Sequence, residues 1–373
     1  MAVSLRGATF ACLLLIGAAP APAPHALPAD GYSEIIEKVA DGIWVIRQAK
    51  PFHLQPIGNV VVVEQKDGLV LLDSGDSPGA GRGIAALIRS VSAKPVKAVA
   101  ISHWHGDHSM GLPGLKESWP NLRIITTVET KQDLLGASMA RYAKDGPDPA
   151  HSAAFHKGIE DTMAAMASLV SKPETPTFKK TGYTQTMREL ADYDRNVEGL
   201  YVAAPTETFT DRLVLADPVR PVELIHPGRA NTDGDLAAWL PRQKVLATGD
   251  MVVAPIPYGF GSYPADWLRS LQVLRALPFR VLIPGHGVPQ RDRAYLDRLA
   301  ALIADVRHQV APLAAAHLSL DETRKKVDLS RERRLFAGDD PWLGLWFDQY
   351  WARPFVTMAW QEANGIPITQ VEV

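Results

Sequence analysis

A short apolar run, Lys97-Ala-Val-Ala-Ile-Ser102, leads straight into His103-Trp104-His105-Gly106-Asp107-His108. The run reads as a buried strand that continues to His103. Three imidazoles and one carboxylate fall within six residues. His103 and His105 are two apart, so an extended backbone sends both to one side. Gly106 lets the chain turn and aim Asp107 and His108 at a second point. Imidazole with carboxylate is a donor set for zinc and similar borderline metals. Four such groups at this spacing are improbable by accident.

Cysteine takes no part in such a site. The one Cys, Cys12, excludes an intramolecular disulfide framework, a Cys-based zinc finger and an iron–sulfur cluster. It lies in the apolar stretch 8–19, after Arg6 and before a small-residue and proline stretch, APAPAPHALPA. That order is the order of a secretory signal peptide, and the apolar stretch is too short to span a bilayer as a standard helix. The expectation is a leader over residues 1–29, export to the periplasm or beyond, a cysteine-free mature chain and no stable membrane span. There are 39 Lys and Arg against 41 Asp and Glu, a net charge of −2. This balance argues against a nucleic-acid partner, which calls for a basic surface. A small-molecule substrate is the expected partner, and the sequence carries no signal for an oligomeric state.

The remaining pattern is layered. Residues 35–49 read as two strands around Asp41-Gly42, and residues 58–73 as a hairpin around Lys66-Asp67-Gly68. Residues 79–92 place Ile84, Leu87, Ile88 and Val91 at helical spacing. Another strand comes at 122–128. Strand, helix and strand with short links indicate an α/β domain. Residues 129–200 look like a helical insertion, interrupted by Gly146-Pro147-Asp148-Pro149 and by a loop at 171–177, with a last helix from Met187. Insertions of this kind often shape substrate access. Sheet-like sequence returns at 208–226, in LAAWLP and in KVLATGD. A helix over 264–277 and the strand RVLIPGHG close the pattern. The expected division is a domain over 30–292 and a helical C-terminal extension over 293–373, with Pro312 as a break. The aromatic stripe from Trp342 to Trp360 is expected to be packing for the last helices.

HWHGDH resembles the HxHxDH signature of the metallo-β-lactamase superfamily. Other residues resemble that family in order: Asp73 at a strand end, Thr248-Gly249-Asp250, and Pro284-Gly285-His286-Gly287. The resemblance runs from about residue 38 to 292. It implies a four-layer αβ/βα sandwich with the site at the loop edge of two facing sheets. It also implies a divalent pair, usually zinc, with a hydroxide between the metals. Carried over by residue, His103 and His105 are ligands of the first metal, Asp107, His108 and His286 of the second, and Asp250 bridges. Asp73 stands behind them, holding a ligand His or the turn.

The chain departs from the family in one place. Where the family has Gly-x-x-His-Thr, this sequence has Gly228-Arg229-Ala230-Asn231-Thr232. A neutral amide oxygen binds zinc more weakly than imidazole. Either Asn231 ligates weakly or donates its amide to a substrate oxyanion, or His226 swings in. The first is preferred, because five residues of strand and turn displace a side chain too far. Tyr258 lies in the loop after Asp250, where it would either hydrogen-bond a substrate carbonyl or pack under the next helix. Arg229 reads as a carboxylate-binding or a surface residue, and Trp104 as core. The leading function is an exported metal-dependent hydrolase acting on a β-lactam, lactone or other ester, with Asp107 orienting or shuttling a proton. The alternatives are an iron-dependent sulfur oxidoreductase of the same fold and a non-catalytic periplasmic metal-binding accessory protein.

Overall fold

The computed structural model describes residues 34–49, 57–144 and 146–369. The expected leader lies outside the described residues. Strands β1 (Glu34–Ala40) and β2 (Ile43–Gln48) form the first hairpin. Gly42 turns it at φ +65°, and a Cβ there would strike the Arg220 side chain. β3 (Val60–Gln65) and β4 (Gly68–Leu72) form the second around Lys66-Asp67. Helix α1 (Pro78–Val91) begins with proline at its first position, and the Ser77 hydroxyl accepts from the Ala80 amide at 3.2 Å. It carries the chain over to β5 (Val96–Ala100), which pairs parallel to β4.

A one-turn helix α2 (Gly106–Ser109) and α3 (Leu112–Ser118) precede β6 (Arg123–Thr127). The insertion then supplies α4 (Val128–Leu135), α5 (Pro149–Val170) and α6 (Thr177–Asn196) before β7 (Glu207–Phe209) completes a seven-stranded sheet in sequential order. The second sheet holds β8 (Arg212–Leu215), β9 (Val222–Ile225), β10 (Ala237–Leu240), β11 (Val245–Ala247) and β12 (Val281–Ile283). β11 and β12 are parallel and joined through α7 (Pro264–Ala276). The C-terminal region forms α8 (Ala294–Ala315), α9 (Leu320–Lys326), α10 (Ser330–Ala337) and α11 (Pro341–Trp346). A π-helical turn, Phe347–Ala352, leads directly into α12 (Arg353–Ala363).

Strand alternation divides the core. Val60, Val62, Leu69 and Leu71 pack against Ile84 and Ile88 of α1. Val61, Val63, Val70 and Leu72 point the other way and meet Leu224, Ala238, Leu240 and Val245 of the second sheet. The far face of that sheet, with Trp239, Leu246 and Leu282, packs under Trp267 and Leu271 of α7 and Leu299, Ile303 and Val306 of α8. Period-two patterning thus produces a helix–sheet–sheet–helix stack, the αβ/βα sandwich. Each fully buried aliphatic side chain contributes roughly 1.5–3 kcal/mol to it.

Several local expectations change. β5 ends at Ala100, so the histidines leave a loop and not the strand itself. α6 starts at Thr177, well before Met187. Pro312 does not break α8; it lies in the last turn and the helix runs on to Ala315. Proline there has no N–H to offer the His308 carbonyl, and α8 ends within a turn of it. The residues after 293 share one apolar cluster with α7 and the second sheet, and Trp346, Phe347, Trp351 and Phe355 are buried in it. No described helix is long and apolar enough to cross a membrane.

Candidate metal centre

The loops after β5, β11 and β12 carry the candidate ligating side chains, and the loop after β4 carries Asp73, which stands behind them. Asp73, directly after β4, adopts the left-handed region at φ +68°, which is uncommon for a non-glycine residue. Its carboxylate explains the tolerance. Oδ1 accepts from the Ser102 amide at 2.7 Å and Oδ2 from the Ser102 hydroxyl at 2.8 Å. The same Oδ2 accepts from His108 Nδ1 at 2.8 Å. Ser102 has one hydroxyl proton and gives it to Asp73. It therefore accepts from His103 Nδ1, 2.9 Å away. Both rings keep a proton on Nδ1, which leaves Nε2 of His103 and of His108 available to a metal. One buried carboxylate so orients two histidines in different halves of the centre.

The ligand atoms gather into two groups, His103, His105 and Asp250, and Asp107, His108 and His286, each set lying within 4.8 Å of one another. In the first, His103 Nε2 and His105 Nδ1 stand 2.9 Å apart, and Asp250 Oδ2 is 3.9 Å from His103 Nε2. In the second, the Nε2 atoms of His108 and His286 stand 3.2 Å apart, and Asp107 Oδ2 lies 3.4 and 3.0 Å from them. Asp250 Oδ1 faces the same pair at 3.1 and 3.4 Å. Asp250 thus turns one oxygen to each group. Gly285 has to be glycine beside it, since a Cβ would come within 2.0 Å of Asp250 Oδ1.

The loop carrying His286 is held from the other sheet. Asn59 donates its amide to the carbonyls of Pro284 and Gly287 at 2.9 Å each, and its backbone N–H donates to Gly285 at 2.6 Å. Sequence reasoning singles out neither Asn59 nor Ser102. Their only signal there is adjacency, Asn59 before the β3 run and Ser102 before the first histidine.

Charge distinguishes the two groups. Burial pulls the His108 ring down, but Asp250, Asp107 and Asp73 outweigh it and hold the ring well above the ordinary imidazole range. His286 is pushed up to about 9 against the same burial, by Asp250 and Asp107. Burial would raise Asp107 and Asp250, yet the surrounding histidines hold both carboxyls far down. His103 and His105 are lowered, chiefly by burial. The second group therefore attracts positive charge, which a divalent cation would supply in place of imidazole protons. The first offers neutral nitrogens. Both fit a borderline divalent metal.

Asn231 is buried on the loop after Gly228. Its Nδ2 donates to the Tyr258 carbonyl at 3.0 Å, while Oδ1 is buried with no hydrogen-bond partner among the described residues. A buried acceptor left unpaired costs about 1–3 kcal/mol, which a cation nearby would offset. His226 does not join either group; its Nδ1 bonds the Asp235 carbonyl at 2.7 Å. The Tyr258 ring is buried, 5.3 Å from the His286 ring at 64°. Trp104 is fully buried with its ring 4.6 Å from His105, a wall of the core. Arg229 donates to Asp266 at 2.7 Å and lies over the Tyr263 ring.

Residues 55–286, more than half of the chain, match the model of the metallo-beta-lactamase superfamily. The chain belongs to that superfamily, whose two-sheet architecture and histidine–aspartate edge the structure reproduces. It is 24% identical over 304 residues to a linear primary-alkylsulfatase of Pseudomonas sp. (strain ATCC 19151), covering 76% of this chain and 51% of that protein. The chain thus spans about half the length of that relative. It is 21% identical to a metallo-beta-lactamase type 2 of Bacillus sp. (strain 170), over 68% of this chain and 76% of that one. Among solved structures, a metallo-beta-lactamase from Pontibacter korlensis matches with 18% identity and a TM-score of 0.49, covering 73% of this chain and 99% of that one.

Proposed function

We propose that this chain is an exported, zinc-dependent hydrolase of a small ester-type substrate. The observation that carries the reading is Asp250, which presents its two carboxylate oxygens to two separate ligand groups. A bound divalent pair supplies a Lewis acid and lowers the pKa of water. His103 and His105, with the unpaired oxygen of Asn231, hold the first position, and Asp107, His108 and His286 the second. Asp73 and Ser102 keep the rings turned. Asp107 is 23% exposed at its side chain against 1% for Asp250. Asp107 is therefore the carboxylate that meets substrate and takes the proton. Tyr258 closes the wall beside His286.

A carbonyl centre, as in a β-lactam, lactone or carboxylic ester, suits this arrangement. The alkylsulfatase relative adds a sulfate ester to the candidates. The signal-peptide-like order of residues 1–29 supports action in the periplasm or outside the cell. The test is a hydrolysis panel of nitrocefin, a γ-lactone, p-nitrophenyl acetate and a primary alkyl sulfate, on zinc-loaded and chelator-treated protein. The expected result is turnover of at least one substrate, abolished by chelator and restored by zinc. No turnover by zinc-loaded protein, or a rate indifferent to chelator, would overturn the proposal.

A further inference from the structure

The wall behind His286 is completed from outside the family-matched segment, which ends at that residue. The π-helical turn Phe347–Ala352 places Tyr350 there, and such turns recur at functional sites. In an α-helix the Tyr350 carbonyl would accept from the N–H four residues on. That residue is Pro354, which has none. The carbonyl instead accepts from the Gly259 amide at 2.8 Å. Gly259 is pressed close, since a Cβ there would lie 2.7 Å from Phe355 Cβ.

The Tyr350 ring continues the grip. It stacks on Trp346 at 4.3 Å and 21°, and it touches Tyr258 and Phe260 at 5.7 and 5.4 Å. These separations are the normal ones for attractive aromatic pairs. Tyr258 in turn meets both halves of the metal centre. Its ring lies against His286, and its carbonyl takes the Asn231 amide. We infer that Tyr350 is a positioning residue of the metal centre, holding the 258–260 loop so that His286 and Asn231 keep their ligating orientations. The metal-binding part of this inference rests on the proposed function; the loop-holding part does not.

Three variants test it, read by cobalt(II) titration with its visible absorption and by amide hydrogen exchange of the metal-free protein across residues 256–263. Tyr350→Met removes the ring. Pro354→Ala leaves the wall side chains in place and returns a competing donor to the Tyr350 carbonyl. Leu274→Ala is a control in the same apolar cluster, near the C-terminal end of α7. The expected result for Tyr350→Met is about tenfold weaker cobalt binding, the low end for loss of a group supporting a ligand. Both Tyr350→Met and Pro354→Ala should speed exchange at Gly259, while Leu274→Ala lowers the melting temperature and leaves affinity and exchange unchanged. Unchanged Gly259 exchange in Tyr350→Met and Pro354→Ala, unchanged cobalt affinity in Tyr350→Met, or equal effects in Leu274→Ala, would overturn the inference. If Tyr350→Met does not fold, Pro354→Ala decides. A wild-type protein that binds no cobalt would sink the proposed function while the exchange measurements still judge the loop.

Discussion

The two halves of the metal centre use the same kinds of side chain and hold them differently. His108 is tied to Asp73, and His286 leaves a loop that Asn59 clamps at three points. Surrounding carboxylates draw positive charge to this half. His103 and His105 leave a single loop, and the residue in place of a third imidazole is Asn231, whose amide is anchored to the Tyr258 carbonyl. One half is clamped from the opposite sheet and favours positive charge; the other offers neutral imidazoles, with an amide at the position where the family pattern has a third histidine. Ligand count alone does not rank two metal positions; the groups behind the ligands and the net charge around them do. The second position should fill first and release last.

The largest effect is expected where the halves share a part. Asp250→Ala should remove metal from both together, leaving zinc content per chain near zero and no hydrolysis. Retention of one full equivalent would show that Asp250 is not shared. Asp73→Asn should come next, because its carboxylate orients a ring in each half. A loss of about 10–100-fold in metal affinity is expected, with circular dichroism unchanged. If only one of the two binding events weakens, the common orienting role is wrong.

Asn231→His addresses the asymmetry directly. The unmodified protein should hold one metal tightly and a second weakly, and the variant should tighten the weaker event by about tenfold or more, as imidazole replaces an amide oxygen. Elemental analysis after dialysis, paired with calorimetry, reads both. Two tightly held equivalents in the unmodified protein would break the comparison at its centre.

The six candidate ligands, which the fold brings together in two groups, are legible in the sequence because four of them lie in one hexapeptide and the others sit in short glycine-containing motifs after β-rich runs. The framework is legible for a related reason: strands buried on two faces and one strongly amphipathic helix leave clear periods. The hidden parts depend on long-range pairing. Asn59 meets residues more than two hundred positions away, and Gly259 meets Tyr350. Periodicity reports that a residue is buried, not what it is buried against. The start of α6 escapes the pattern because its first turns hold four Thr and a Gly, poor in helix propensity, and lack apolar spacing. Tyr183 of that helix packs instead on Trp342 of α11, a contact only the tertiary fold supplies.

The smallest expected effect concerns how the loop of the weaker half is seated. The Gly234 carbonyl accepts from the hydroxyls of Thr127 and Thr130 at 2.8 and 3.0 Å, so the Asn231 loop rests on the start of α4. Asp133 of that helix is raised from 3.8 to about 7, first by burial and then by the charge of Asp233 on the loop. A carboxyl raised on folding binds more protons in the native than in the unfolded state between those two values, so its contribution to stability falls as pH rises from about 4 to about 7. Asp133→Asn should flatten that fall in urea midpoints measured across the window. Solvent around the half-buried pair keeps the change modest. The variant should also leave the tighter metal-binding event unmoved, because the ligands of that half do not ride on this loop. An unaltered pH slope would mean that the carboxyl pair does not help seat the loop. A weakened tight event would mean that the Asn231 loop also helps to hold the second half.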